Sequence, residues 1–159
     1  MDTIIVGLDG SKGTQAAARW AAAQARRTGE RVIAVYVVAR TELWSMSAVQ
    51  INIDKILAEF RKLLDGRWTA PLRKAGVAYT TLLIRGDPAT ELLRVAKREH
   101  ATLLALGSKS HSSLTDSIIG GTVHKVVNRA TIPIVLVPVA PAPKKTDASR
   151  KAARRRPSK

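Results

Sequence analysis

Two stretches of this chain carry residue types suited to holding an anion. Gly7-Leu8-Asp9-Gly10-Ser11 lies where one apolar run ends. Gly107-Ser108-Lys109-Ser110-His111 lies where another ends, and Gly120-Gly121-Thr122 opens a helix soon after. Helix starts leave backbone N–H groups unpaired, and such groups attract phosphate. Glycines let the backbone approach a ligand closely. Lys109 adds a positive charge and Thr122 a hydroxyl, while Asp9 supplies a carboxylate for a ribose hydroxyl or for a magnesium ion bridging phosphates. Each residue also has a plainer reading. Asp9 can share with Ser11 the capping of the first helix, Lys109 can be solvated, and Gly120-Gly121 can be a turn with Thr122 as its cap.

Several chemistries lack their residues. The chain has no cysteine, so thiol catalysis, disulfides and thiolate metal sites are excluded. Its three histidines are not at ligand spacing. His111 and His124 fall in or near the glycine-bearing loop without an evident carboxylate orienter, so they read as surface histidines. There is no G-x-x-x-x-G-K-[ST], no G-x-G-x-x-G after the first strand and no G-x-S-x-G elbow. The residues offer a cradle without a general base or nucleophile, which favours binding over catalysis.

The elements that position these residues follow from hydrophobic periodicity. Thr3–Leu8 is a nearly continuous apolar run, the pattern of a strand buried on both faces. Ser11 caps a helix ended by Gly29, and 31–38 is a second strand. Met46 to Ala75 repeats apolar residues at three- and four-residue steps, predicting a helix that Pro71 should kink or end early. Residues 78–84 form a third strand. Asp87-Pro88 starts the next helix, 102–106 is a fourth strand, a helix lies near 123–130, and Ile134–Val137 is the last strand. Five strands alternating with four helices predict a doubly wound parallel sheet. If the first and fourth strands are neighbours with helices leaving to opposite faces, a crevice opens between Asp9 and Gly107.

The domain is expected over residues 1–140, and 141–159 is expected to be a disordered basic tail. That tail holds eight of the 27 Lys and Arg residues and one acid, within a formal net charge of +15. It can contact an acidic partner or nucleic-acid phosphates, or serve as a solvating appendage. No secretory pattern or membrane-length apolar run is evident, and the expected location is cytoplasmic.

These residues resemble the universal stress protein family over about residues 2–139. The likeness rests on Ile4-Ile5-Val6-Gly7-Leu8-Asp9-Gly10-Ser11, on Gly86-Asp87-Pro88, and above all on a segment similar to the family's G-x2-G-x9-G-[ST] nucleotide motif. Gly107 matches the first glycine and Gly120 the third. Ser110 stands where the second glycine is expected, and Gly121 where Ser or Thr is expected. A serine forced to positive φ would cost roughly 1–2 kcal/mol. A missing hydroxyl contact to charged phosphate is worth about 1–3 kcal/mol.

The resemblance implies an adenine-nucleotide α-hydrolase-like, Rossmann-like fold. It also implies ATP between the ends of the first and fourth strands, with Asp9 at the ribose or magnesium and Val37 packed on adenine. A homodimer is expected through the edge strand Pro133 to Val137. The function so implied is a nucleotide-binding stress-response regulator with at most slow hydrolysis. The alternatives are a non-ATP-binding interaction module that uses the tail, and a nucleotide-dependent enzyme.

Overall fold

The computed structural model describes residues 2–48, 52–108 and 120–139. Five strands form one parallel sheet: β1 (Thr3–Gly7), β2 (Arg31–Ala39), β3 (Tyr79–Gly86), β4 (Leu103–Gly107) and β5 (Ile134–Val137). Their spatial order is β3-β2-β1-β4-β5, with β1 flanked by β2 and β4. Val6 is level with Ala34 on one side and Ala105 on the other. The expected adjacency of the first and fourth strands is therefore present.

Every residue of β1 is buried, which explains why it reads as an unbroken apolar run. One face of the sheet packs on α1 (Lys12–Thr28), whose buried Ala17, Ala18, Ala21 and Ala25 let it lie close to Ile4, Val6 and Ala34. The other face packs on α5 (Pro88–Arg98) and α6 (Gly121–Arg129), where Leu92, Val95, Val123 and Val126 meet Ile5, Val35 and Leu104. The helices that follow β1 and β4 thus lie on opposite faces, and the sheet reverses its winding between these two strands.

The long connection from β2 to β3 departs from the expected single helix. It holds α2 (Arg40–Ala48), α3 (Ile53–Leu63), a π-helical turn (Leu64–Trp68) and α4 (Ala70–Ala75). Pro71 ends nothing here; it occupies the first turn of α4, where its missing N–H costs no hydrogen bond. The break precedes it, at Thr69, whose buried hydroxyl donates 2.7 Å to the Leu64 carbonyl. Within the turn Leu64 and Trp68 stay buried, so the core-facing pattern runs on through the irregularity.

Local signals read from the sequence hold elsewhere. Ser11 caps α1, accepting from the Thr14 amide at 3.3 Å, and Gly29 ends that helix. Asp87 caps α5 with Pro88 as its first residue. β5 forms one edge of the sheet. Lys109, Ser110, His111 and the basic tail 141–159 lie outside the described residues. Among the described residues, no helix is long and apolar enough to cross a membrane.

Candidate functional site

The reversal between β1 and β4 opens a cavity of about 700 Å³ at the C-terminal ends of the strands. Its walls come from both sides of the sheet. Asp9, Lys12 and Thr14 belong to the β1–α1 turn, Gly120, Gly121 and Thr122 to the start of α6, and Val35, Tyr36 and Val37 to β2. Gly7, Gly107 and Ser108 complete the floor between them. Gly7, Asp9, Val37, Gly107, Ser108, Gly120, Gly121 and Thr122 therefore line one space, whereas Gly10 and His124 do not.

Asp9 is held by the turn it belongs to. Its Oδ1 accepts from the Ser11 amide at 2.9 Å and from the Thr14 hydroxyl at 2.9 Å. Both donors converge on one oxygen, and among the described residues Oδ2 has no partner. The capping reading and the ligand reading of Asp9 are thus compatible, since one oxygen braces the helix start, the other is without a partner among the described residues, and the residue lines the cavity.

The start of α6 is bare. Gly120 is its N-cap residue, with extended φ −65° and ψ 155°, and no side chain caps the first turn. The first amide of α6 with a helical acceptor is that of His124, bonded to the Gly120 carbonyl at 3.0 Å. A β-carbon added to Gly121 would meet nothing within 4 Å among the described residues. Thr122 lies inside the helix, so it is not the cap; its hydroxyl-bearing side chain lines the cavity beside the uncapped amides. This is the arrangement that accepts an anion.

Gly107 has a different reason to be glycine than ligand approach. A β-carbon there would lie 2.1 Å from the Gly13 carbonyl carbon and 2.5 Å from the Thr14 nitrogen. The first turn of α1 rests directly on the end of β4. Gly7 is likewise enclosed, with Leu106 at 2.9 Å from a notional β-carbon.

The structure adds residues that sequence reasoning passed over. Tyr36 stacks edge-on against Phe60 and Trp68, with ring centroids 5.1 and 5.0 Å away. Burial, then the carboxylates of Glu42 and Asp9, push its hydroxyl up to about 12, so it keeps its proton and can only act as a neutral hydrogen-bonding group. Glu42 accepts from the Ala39 amide at 2.9 Å, closing the exit of β2. Lys12 is the cavity's cation among the described residues and has no ion-pair partner there. Of these, only Glu42 carried a local signal, an acid three residues beyond a strand end. Tyr36 and Lys12 are recruited by β2 and α1 meeting β4, which no local spacing announces.

Chemically, the site offers, among the described residues, a carboxylate oxygen without a partner, a run of unpaired amides, one lysine and an apolar wall of Val35, Val37 and Leu92. Among the described residues no three His, Cys, Asp or Glu side chains gather as a metal site.

Known proteins share this architecture. Universal stress protein YxiE of Bacillus subtilis is 33% identical over 89 residues, covering 54% of this chain and 60% of its own. A universal stress protein of Mycobacterium bovis is 30% identical over 138 residues, covering 84% of this chain and 44% of its own. The chain thus spans about half the length of these curated relatives. Among solved structures, a universal stress protein in complex with cAMP aligns with a TM-score of 0.62 at 21% identity, covering 87% of this chain and 98% of that one. One from Archaeoglobus fulgidus in complex with dAMP aligns at 0.61 and 17% identity, covering 86% and 97%. The model of the Universal stress protein family matches residues 1–138, and this chain belongs to that family.

Proposed function

We propose that the chain is a nucleotide-binding regulatory module that holds an adenine nucleotide, ATP in the first instance, between the ends of β1 and β4. The observation that carries this reading is the bare start of α6. Among the described residues nothing caps the amides that follow Gly120, and Gly120, Gly121 and Asp9 line the same cavity. In this reading the phosphates lie at the α6 start, where the N–H groups and helix dipole favour negative charge. Ribose hydroxyls donate to Asp9, and the base packs on Val35 and Val37. Lys109, Ser110 and His111 join the phosphate side on the strength of the motif alone.

The residues present fit a magnesium ion as well. Mg²⁺ commonly takes one or two carboxylates together with phosphate oxygens, and Asp9 is the carboxylate that would hold it in place of the ribose contact. The ion would supply neutralising charge between phosphates. The chain's own residues orient and desolvate the ligand. Binding, rather than turnover, is the function this arrangement supports.

Two proteins of the same fold are in complex with cAMP and dAMP, the ligand class proposed here. The regulatory output is assigned to a homodimer through β5. That strand is a sheet edge, and it carries Leu136, one of the two large hydrophobic side chains most exposed among the described residues.

Mass analysis of small molecules released from the purified, denatured protein tests the reading. An adenine nucleotide in amounts approaching one per chain is expected. A protein that neither carries such a nucleotide nor takes one up when soaked in ATP would overturn it.

A further inference from the structure

The solvent faces of α1 and α4 carry bases and no acids. α1 has Lys12, Arg19, Arg26 and Arg27 but neither Asp nor Glu; α4 has Arg73 and Lys74 and likewise no acid. At about 100° per residue, Lys12, Arg19 and Arg26 fall within roughly 40° of one another around the helix, and at 1.5 Å per residue they mark out about 21 Å of its length. All three are exposed. α4 packs directly against α1 and sets exposed Arg73 and Lys74 alongside. Arg73 is anchored on the carbonyl oxygens of Asp65 and Gly66, both at 3.3 Å.

These charges are not compensated. Among the described residues Lys12, Arg19, Arg26 and Lys74 have neither an ion-pair nor a hydrogen-bond partner. Two acids near this face are engaged: Asp65 accepts from Thr81 at 2.6 Å, and Glu30 accepts from Thr28 at 2.6 Å and Thr102 at 2.9 Å. The opposite side of the sheet is built differently. There Arg94 pairs with Glu91, Arg98 with Glu99 and Lys125 with Asp87. Among the described residues this face therefore carries a run of cations without acid partners, apart from the eight Lys and Arg of the tail 141–159.

A face of one sign attracts a polyanion. Its composition narrows the class. Neither of the exposed large hydrophobics, Val127 and Leu136, belongs to α1 or α4, so this face lacks the apolar side that an interfacial helix sinks into lipid. It also lacks a stacking platform for unpaired bases, since Trp20 packs against the core and Trp68 is buried. What remains suits a regular array of phosphates, which arginine forks engage well.

We propose that the α1–α4 face binds the backbone of double-stranded DNA without sequence preference. This is independent of the cavity reading.

The test uses the full chain and fluorescence anisotropy with a short mixed-sequence DNA duplex over a range of salt. One variant carries Arg19→Gln, Arg26→Gln and Lys74→Gln. A control of equal charge loss carries Arg94→Gln, Lys97→Gln and Arg129→Gln on the α5–α6 side. The face variant is expected to bind at least about tenfold more weakly at low salt. Its log-affinity against log-salt slope should be shallower by about two to three, near 0.9 per lost phosphate contact. The control is expected to stay within about threefold of wild type. Equal losses in both variants would mean that net charge alone drives binding. An unchanged face variant would place the contact elsewhere, in the basic tail for instance. Either result overturns the proposal, as does a wild-type chain that leaves the duplex free at low salt. ATP titration of the face variant, expected to match wild type, keeps this outcome separate from that of the cavity.

Discussion

Gly107 and Gly13 meet backbone to backbone, one at the end of β4 and the other in the first turn of α1. A β-carbon on Gly107 would lie 2.1 Å from the Gly13 carbonyl carbon, and one on Gly13 would lie 2.6 Å from the Ser108 carbonyl oxygen. This contact fixes the spacing between the strand that ends in Gly107 and the helix start that Asp9 braces. It therefore sets the width of the crevice. Gly107→Ala should destabilise the fold by about 3 kcal/mol or more, at or beyond the usual range for overpacking, because backbone rather than a side-chain tip must move. Urea unfolding measures this.

Gly121 is the counterexample, since nothing among the described residues lies within 4 Å of a β-carbon there. Gly121→Ser should leave stability unchanged or slightly raised, because glycine in a helix costs roughly 0.5–1 kcal/mol relative to alanine. It also adds a hydroxyl beside the uncapped amides. ATP affinity should rise about tenfold, in line with 1–3 kcal/mol for a hydrogen bond to a charged group. Adenosine affinity should not change. Calorimetry with both ligands separates the two effects.

Asp9 can be divided into its two roles. Asp9→Asn keeps an oxygen for the Ser11 amide and the Thr14 hydroxyl but removes the charge. Stability should change by less than about 1 kcal/mol, while nucleotide affinity falls about tenfold. Asp9→Ala should lose both, adding a stability cost of about 1 kcal/mol from the unbraced helix start. Paired thermal melts and titrations check this.

Much of this arrangement is legible in the chain, for reasons that differ by element. β1 and β4 are short apolar runs bounded by turn residues, so their identity as buried parallel strands follows from pattern. Asp9, Gly107 and Gly120 follow from lying at strand ends and helix starts. The β2–β3 connection is not legible in the same way. The π-helical turn keeps Leu64 and Trp68 on the core side, so the periodicity conceals the break. Pro71 is as acceptable in the first turn of a new helix as it is disruptive within an old one. Gly13 hides for another reason, because only its long-range contact with β4 requires a glycine.

The α5 cap titrates below the ordinary range. Asp87 accepts from the Thr90 amide at 3.0 Å and the Thr90 hydroxyl at 2.8 Å, and Lys125 lies 3.3 Å away. These hydrogen bonds, led by that of the backbone, bring its carboxyl down to about 2 from 3.8. A folded value below the unfolded one means that the unfolded chain binds the proton first. The stabilisation is then complete above about pH 4 and is lost as pH falls toward 2. Because Asp87 is a surface group, its share is modest. Asp87→Asn should flatten the acid limb of the stability curve in that window and leave the neutral region nearly unchanged, as read by urea midpoints against pH.

The edge strand supplies a further check. Leu136 is 37% exposed on β5, and Val127 is 47% exposed on α6. Leu136→Arg should weaken self-association at least about tenfold while sparing the monomer's melting temperature, because the side chain is already half in solvent. Sedimentation equilibrium gives the association constant. A wild-type chain that stays monomeric at micromolar concentration would remove the dimer from the account.

The central claim is that the open amides of the α6 start hold the phosphates of an adenine nucleotide. Isothermal titration of the wild-type chain with adenosine, AMP and ATP, with and without magnesium, tests it most directly. Affinity is predicted to rise from adenosine to AMP to ATP. Equal affinity for all three ligands, or no heat with any of them, would contradict it.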